Sequence, residues 1–311
     1  MELNRIYLGN SFDVLKTFED GSINCCVTSP PYFGLRDYGI DGQIGIEDTP
    51  TDYIERLADV FDEVRRVLRD DGTLWLNIGD SYCNSNGYAR ASAQYQRQGR
   101  NDAPANDRDL SKLHGAGFKT KDLIGIPWLL AFALRERGWY LRQDIIWAKP
   151  NPMPESVRDR CTKSHEYIFL MTKSPKYYYD NEAIKEPTIT RDTSVRNRDE
   201  SKLNNTPGRS RMAGLKTNDY TERNKRDVWN VATKPLKEAH FAAFPEELIT
   251  PCILAGCPVG GTVLDPFMGA GTTALVSLKH GRNYVGIELN EEYIDIANNR
   301  LNNVQLSIVW N

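Results

Sequence analysis

Residues 262–290 read TVLDPFMGAGTTALVSLKHGRNYVGIELN, and this segment constrains the fold more than any other in the chain. A short apolar run ends in Asp265, a turn carries Gly269 and Gly271, a helix-forming stretch opens at Thr272, and a second apolar run ends in Glu288. Glycines let a backbone pass close to a ligand, and a carboxylate at the end of the second strand can accept both hydroxyls of a ribose. The spacing Gly269-x-Gly271-x-x-Ala274 satisfies the loose dinucleotide fingerprint, so a nicotinamide or flavin enzyme is one reading of it. The absence of G-K-[ST] removes the P-loop reading. Position then narrows the choice. A dinucleotide unit normally opens its domain, yet only 21 residues follow Asn290, so the other strands must come from the N-terminal side. If they complete the same sheet, the chain is a circular permutation of the nucleoside-binding fold. The carboxyl end of an N-terminal strand then lies beside the glycine turn, where open α/β sheets bind ligands.

The N-terminal side supplies those strands. Residues 23–28 form a short apolar run suited to a strand covered on both faces. Thr49, Pro50 and Asp52 make a helix start, and Ile54, Leu57, Ala58, Phe61, Val64 and Leu68 keep one face apolar until Asp71-Gly72. Strands are expected at 73–78, 140–147, 167–171, 262–264 and 284–287, and helices at 123–137, 245–255, 272–280 and 291–301. Alternation of this kind implies an α/β fold with a doubly wound, mostly parallel sheet.

With 40% hydrophobic and 26% charged residues in 311, the chain suits one globular unit carrying inserted segments. No apolar run approaches a membrane span and the N-terminus lacks the regions of a signal peptide, so a cytoplasmic protein is expected. The six cysteines form no C-x-x-C pair, which argues for packed thiols and against a metal site. Net charge is −3, but it is unevenly spread: residues 185–235 hold 12 Lys and Arg against 7 Asp and Glu, which leaves −8 for the remainder. That segment and a second polar stretch, 84–121, lack aliphatic periodicity. Basic insertions in an acidic globule suit a polyanion gripped at its phosphates.

Directly after the run at 23–28 stands Ser29-Pro30-Pro31-Tyr32, followed by Phe33. This tetrapeptide and Asp265-Pro266-Phe267-Met268-Gly269-Ala270-Gly271-Thr272-Thr273 resemble the catalytic and cofactor motifs of the S-adenosylmethionine-dependent DNA methyltransferases that modify exocyclic amines, in the permuted beta-class order. The segments GTLWLN at 72–77, IWAKPNP at 146–152 and AHFAAFP at 239–245 are also similar to recurrent segments of that class. The resemblance covers nearly the whole chain outside the polar insertions. It implies a permuted Rossmann-like domain, S-adenosylmethionine as cofactor, and double-stranded DNA as partner. It leaves open whether a cognate restriction endonuclease is a second partner, and whether the chain is a monomer or a homodimer.

For the site, the resemblance implies catalysis at Ser29, Pro30, Pro31 and Tyr32. It places Asp265, Phe267, Gly269, Gly271, Thr272, Glu288, Asn10 and Phe241 around the cofactor. At Asn10 relatives usually carry aspartate. An exocyclic amine is a poor nucleophile because its lone pair is delocalised into the ring, so two acceptors aimed at its N–H groups would favour the tetrahedral geometry of attack. The Ser29 hydroxyl and the Pro30 carbonyl are the candidates. Tyr32 offers an aromatic face to a base rotated out of the duplex, and Phe33 either extends that face or anchors the loop. Serine at the first position resembles the cytosine N(4) enzymes, whereas adenine N(6) enzymes more often carry aspartate. Residues 1–184 and 236–311 are expected to form the catalytic and cofactor-binding halves, with 185–235 as the target-recognition insertion. Arg209, Arg211, Arg223 and Arg226 are its candidate DNA contacts. A non-catalytic DNA-binding module, and an amine methyltransferase acting on RNA or protein, are the alternatives outside this reading.

Overall fold

The computed structural model describes residues 1–35, 39–83, 110–188, 222–234 and 244–309. Two compact units emerge, Met1–Asp180 with Asp227–Asn311, and Asn181–Arg226. In chain order the strands are β1 (Arg5–Leu8), β2 (Ile23–Thr28), β3 (Leu68–Ile78), β4 (Tyr140–Ala148), β5 (His165–Thr172), β6 (Glu186–Pro187), β7 (Glu222–Arg223), β8 (Val228–Asn230), β9 (Thr262–Asp265) and β10 (Asn283–Glu288). The helices are α1 (Ser11–Leu15), α2 (Pro50–Val67), α3 (Leu110–Gly115), α4 (Ile126–Glu136), α5 (Glu246–Gly256), α6 (Thr272–Lys279) and α7 (Glu291–Val309).

The larger unit is built on an eight-stranded sheet of order β1-β10-β9-β2-β3-β5-β4-β8. Every neighbouring pair is parallel except those of β5, which runs antiparallel to both β3 and β4. The local cause is legible: loop 149–164 carries Pro150, Pro152 and Pro154 and supplies no crossover helix, so the chain turns straight back. Strands β9 and β2 meet at the sheet's centre although 237 residues separate Asp265 from Thr28. The halves of the fold are thus joined in the permuted order expected from the sequence.

Helix α2 starts as its residues dictate, with Thr49 Oγ1 accepting from the Asp52 amide at 3.2 Å and Pro50 in the first turn. It ends earlier than expected, at Val67. Leu68, fully buried and opposite Ile23, already belongs to β3, so the register with β2 overrides the helical period at that point. Tyr53, Leu57, Phe61 and Val64 pack with Cys26, Leu74 and Leu76 on one face of the sheet, together with α1 and α4. On the other face α5 lies so close that a Cβ on Gly256 would stand 2.4 Å from Trp75 Nε1 and 2.6 Å from Thr73 Oγ1, which only glycine tolerates. Helices α6 and α7 complete that face over Ile6 and Tyr284. No helix among the described residues is long and apolar enough to cross a membrane.

In the smaller unit β6 and β7 pair antiparallel. Its limits differ from the 185–235 segment marked by composition, because Val228–Asn230 pairs with β4 and belongs to the main sheet. The reach of a three-residue strand is invisible to composition.

Candidate active site

The carboxyl ends of β2, β9 and β10 converge on one cleft. Its walls include Asn10, Ser11, Ser29, Pro31, Phe244, Asp265, Phe267, Gly269, Thr272, Glu288, Leu289 and Tyr293. Of the residues marked in the sequence, Asn10, Ser29, Pro31, Asp265, Phe267, Gly269, Thr272 and Glu288 therefore share a single cavity. Pro30 is buried and outside the lining. Phe241 lies outside the described residues; Phe244, three positions on, lines the cleft.

Glu288 is held by backbone: the Gly269 amide donates to Oε2 at 2.7 Å and the Asn290 amide to Oε1 at 2.9 Å. Each oxygen keeps further acceptor capacity. Burial raises the Glu288 pKa, and the amides of Asn290, Gly269 and Leu289 oppose that rise. Gly271 does not face the cavity. Its φ of +78° belongs to the left-handed region, and a Cβ there would sit 2.8 Å from Ala297 Cβ, so it sets the turn and seats α7 against α6. Parallel pairing of β1 with β10 brings the end of β1 alongside, and the Gly9 amide donates to the Glu288 carbonyl at 2.9 Å. Asn10 caps α1, its Oδ1 accepting from the Phe12 amide at 3.0 Å. Ser11, unmarked in the sequence, is buried and donates to the Pro266 carbonyl at 2.6 Å. It ties the N-terminal helix to the glycine loop.

Asp265 is a brace. Oδ1 accepts from Thr28 Oγ1 at 2.6 Å and from the Phe267 amide at 3.0 Å, while Oδ2 accepts from Thr273 Oγ1 at 2.7 Å. It thus fastens the residue preceding Ser29 to the glycine loop. Burial pushes its pKa up to about 6 from 3.8, against the three hydrogen bonds. A carboxyl whose folded pKa is raised binds more protons folded than unfolded between these values, so the contribution of Asp265 to stability is fully present below pH ~4 and is lost as pH climbs through ~6. Asp265→Asn keeps the shape and the acceptor for Thr28 and Phe267. Relative to wild type it is expected to flatten the fall of Tm between pH 4 and 6; parallel Tm curves for the two proteins would contradict this.

Beside the cleft, Tyr32 is fixed at its hydroxyl, which donates to Glu166 Oε2 at 2.7 Å and lies 3.3 Å from Asn77 Oδ1. The Ser29 side chain also engages that hydroxyl. Burial, then the neighbouring Glu166 charge, raises the Tyr32 pKa well above its usual value, so the phenol stays protonated. Glu166 in turn forms an ion pair with Lys149, whose ammonium lies 4.2 Å from the Trp147 ring centroid. Asn77 closes the ring by donating to the Tyr167 carbonyl at 3.1 Å. The Pro31 carbonyl accepts from Tyr53 Oη at 2.8 Å, so the turn is pinned from α2. Phe33 is 1% exposed and packs on Tyr53 at a centroid distance of 5.3 Å; it anchors the loop. Asn77 and Lys149 stand in the segments GTLWLN and IWAKPNP without a role legible there, Tyr53 carries no motif signal, and strand pairing with the packing of α2 brings all three here.

In the smaller unit Glu186 holds two of the four marked arginines, with Nε of Arg223 at 2.8 Å and Nε of Arg226 at 2.6 Å from the same carboxylate oxygen. Their charges lower the Glu186 pKa against its own burial. Arg209 and Arg211 lie outside the described residues.

A family model for DNA methylases directed to N6 and N4 positions matches residues 23–299. The Type II methyltransferase M.Cfr9I of Citrobacter freundii is 49% identical over 99% of this chain and 92% of its own length. M.SmaI of Serratia marcescens, also a Type II methyltransferase, is 48% identical over 96% and 90%. Among solved structures, PvuII DNA methyltransferase (cytosine-N4-specific) superposes with a TM-score of 0.64 at 16% identity, covering 96% of this chain and 86% of that one. The protein TTHA0409 of Thermus thermophilus, described as a DNA modification methylase, gives 0.58 at 22% identity over 96% and 94%. These structures share the fold.

Proposed function

Because the chain belongs to the N6/N4 DNA methylase family, we propose that it transfers the methyl group of S-adenosylmethionine to an exocyclic amine of a base flipped out of double-stranded DNA, cytosine N(4) being the favoured target. The observation that carries the reading is the single cleft in which Ser29 and Pro31 face Phe267, Gly269 and Glu288.

The cleft suits this cofactor chemically. Glu288, held by two amides, keeps lone pairs for a ribose diol. Phe244, Phe267, Leu289 and Tyr293 give apolar and aromatic contact for an adenine ring. When bound, the cofactor supplies an electrophilic methyl group on sulfur. The chain's own residues prepare the amine. With the Pro31 carbonyl already taken by Tyr53, the acceptors left to the turn are the Ser29 hydroxyl and the Pro30 carbonyl, and they draw the amine's N–H groups into the geometry of attack. Tyr32, clamped at its hydroxyl by Glu166, presents its ring to the base. The amine sheds its proton readily after transfer, so no dedicated base is required.

Ser29 at the first position of the tetrapeptide supports cytosine over adenine. Methyl transfer from labelled S-adenosylmethionine to unmethylated duplex DNA, followed by nucleoside digestion and mass spectrometry, decides it. N(4)-methylcytosine is expected. N(6)-methyladenine would keep the reaction and overturn the target base, and no methylated nucleoside would overturn the DNA reading altogether. The relatives' designation as Type II enzymes supports pairing with a cognate restriction endonuclease.

The segment 185–235 is assigned to target recognition. Replacing Arg209, Arg211, Arg223 and Arg226 by glutamine should weaken DNA binding across sequences and reduce the slope of log K against log salt by roughly 0.9 for each phosphate no longer neutralised. Cofactor affinity should stay unchanged. Titrations at three salt concentrations give the slope, and an unaltered slope would remove these residues from the interface.

A further inference from the structure

Loop 149–164 leaves the sheet at the carboxyl end of β4, the edge that also carries the tetrapeptide and the glycine turn. Its base is closed by the Lys149 amide donating to the Ser164 carbonyl at 2.7 Å, beside the Lys149 and Glu166 pair that secures Tyr32. Beyond this closure stands Pro152-Met153-Pro154. Met153 is 75% exposed. Only Val259, at 76%, matches it among the exposed large apolar residues described, and Val259 lies at the opposite edge, ahead of β9.

A flexible loop could fold such a side chain away, but this one is braced on both flanks. The Asn151 side chain donates to the Thr233 carbonyl at 3.1 Å and accepts from the Thr233 amide at 2.9 Å. The Glu155 carboxylate accepts from Arg160 at 2.7 Å and from the Lys163 amide at 3.2 Å, and the Arg160 guanidinium lies 4.0 Å from the Tyr82 ring centroid. Two prolines fix φ on either side of Met153. The loop carries four basic residues, Lys149, Arg158, Arg160 and Lys163, against Glu155 and Asp159. It is a rigid apolar tip on a basic loop, rooted at the pocket proposed for the base.

From this we infer that Met153 is a wedge that enters the duplex and fills the space vacated by the flipped base. The inference rests on the DNA methylation reading above. Unbranched apolar side chains are suited to insertion between base steps, where they replace lost stacking, and a tip ordered in advance does so without first losing loop freedom. A second copy of the chain or another protein docking on Met153 are the competing occupants.

The test compares wild type, Met153→Ala and Met153→Leu in single-turnover methyl transfer. One duplex carries the intact methylation site, and the other has an abasic site opposite the target base, which then needs no displacement from a pair. On the intact duplex Met153→Ala should be at least tenfold slower than wild type, and Met153→Leu within about threefold. On the orphaned base the Ala variant should come within twofold of wild type, with unchanged S-adenosylmethionine affinity in all three. Equal rates on the intact duplex, or the same deficit on both, would overturn the wedge. So would loss of self-association in Met153→Ala by analytical ultracentrifugation with transfer intact. Failure of wild type to methylate either duplex would instead remove the reading on which the wedge depends.

Discussion

Glu288→Ala is expected to raise the dissociation constant of S-adenosylmethionine at least a hundredfold. The carboxylate stands at the end of β10 with one backbone amide on each oxygen, and its remaining lone pairs are proposed to accept the two ribose hydroxyls. Hydrogen bonds to a charged group are worth about 1.5–3 kcal/mol each, so two of them correspond to roughly two to four orders of magnitude in affinity. The variant also leaves the Gly269 amide without its acceptor, which loosens the turn that shapes the cleft. Glu288→Gln should fall between the two, because one amide oxygen can serve one hydroxyl while its NH2 group must face an N–H of Gly269 or Asn290. Isothermal titration with the cofactor measures the series. An alanine variant that binds as tightly as wild type would place the ribose elsewhere.

The second large effect belongs to Tyr32. Removing the ring with Tyr32→Ala should lower the rate of methyl transfer by two to three orders of magnitude. Stacking of a base on an aromatic side chain contributes about 1–3 kcal/mol. The change also takes a donor from Glu166, whose side chain is 15% exposed and paired with Lys149. Tyr32→Phe keeps the ring and removes the hydroxyl contacts to Glu166, Asn77 and Ser29, so a loss of less than tenfold is expected. Cofactor affinity should hold in both, because Tyr32 is absent from the lining of the cofactor cleft. Stopped-flow binding of cofactor alongside single-turnover transfer separates the two contributions. If Phe and Ala are equally impaired, the hydroxyl network and not the aromatic face carries the role of Tyr32.

Both variants test residues marked in the sequence, yet the reasons they matter are unequally legible there. Glu288 can be located from local pattern alone, since a strand, a glycine turn, a helix and a second strand follow one another within residues 262–290. The glycine fingerprint misleads at one point: Gly271 satisfies the dinucleotide spacing but is required by its φ and by Ala297, which packs against it from α7. Composition sets residues 185–235 apart, whereas the compact unit spans Asn181–Arg226, because the three residues of β8 owe their strand to pairing with β4.

The sequence by itself determined the order of the fold and the positions of its motifs. Apolar periodicity, N-caps, prolines and glycine turns act between near neighbours, and the pairing of β9 with β2 realises the permuted arrangement that the order of the motifs suggests. Tertiary structure alone decided that β5 runs antiparallel, that α2 yields to β3 at Leu68, and that Asp265 is spent on bracing Thr28 and Thr273. It also decided that Glu166, Asn77 and Tyr53 surround the tetrapeptide. These depend on strand register across the sheet, which couples residues tens to hundreds of positions apart and leaves no trace in any window of neighbouring residues.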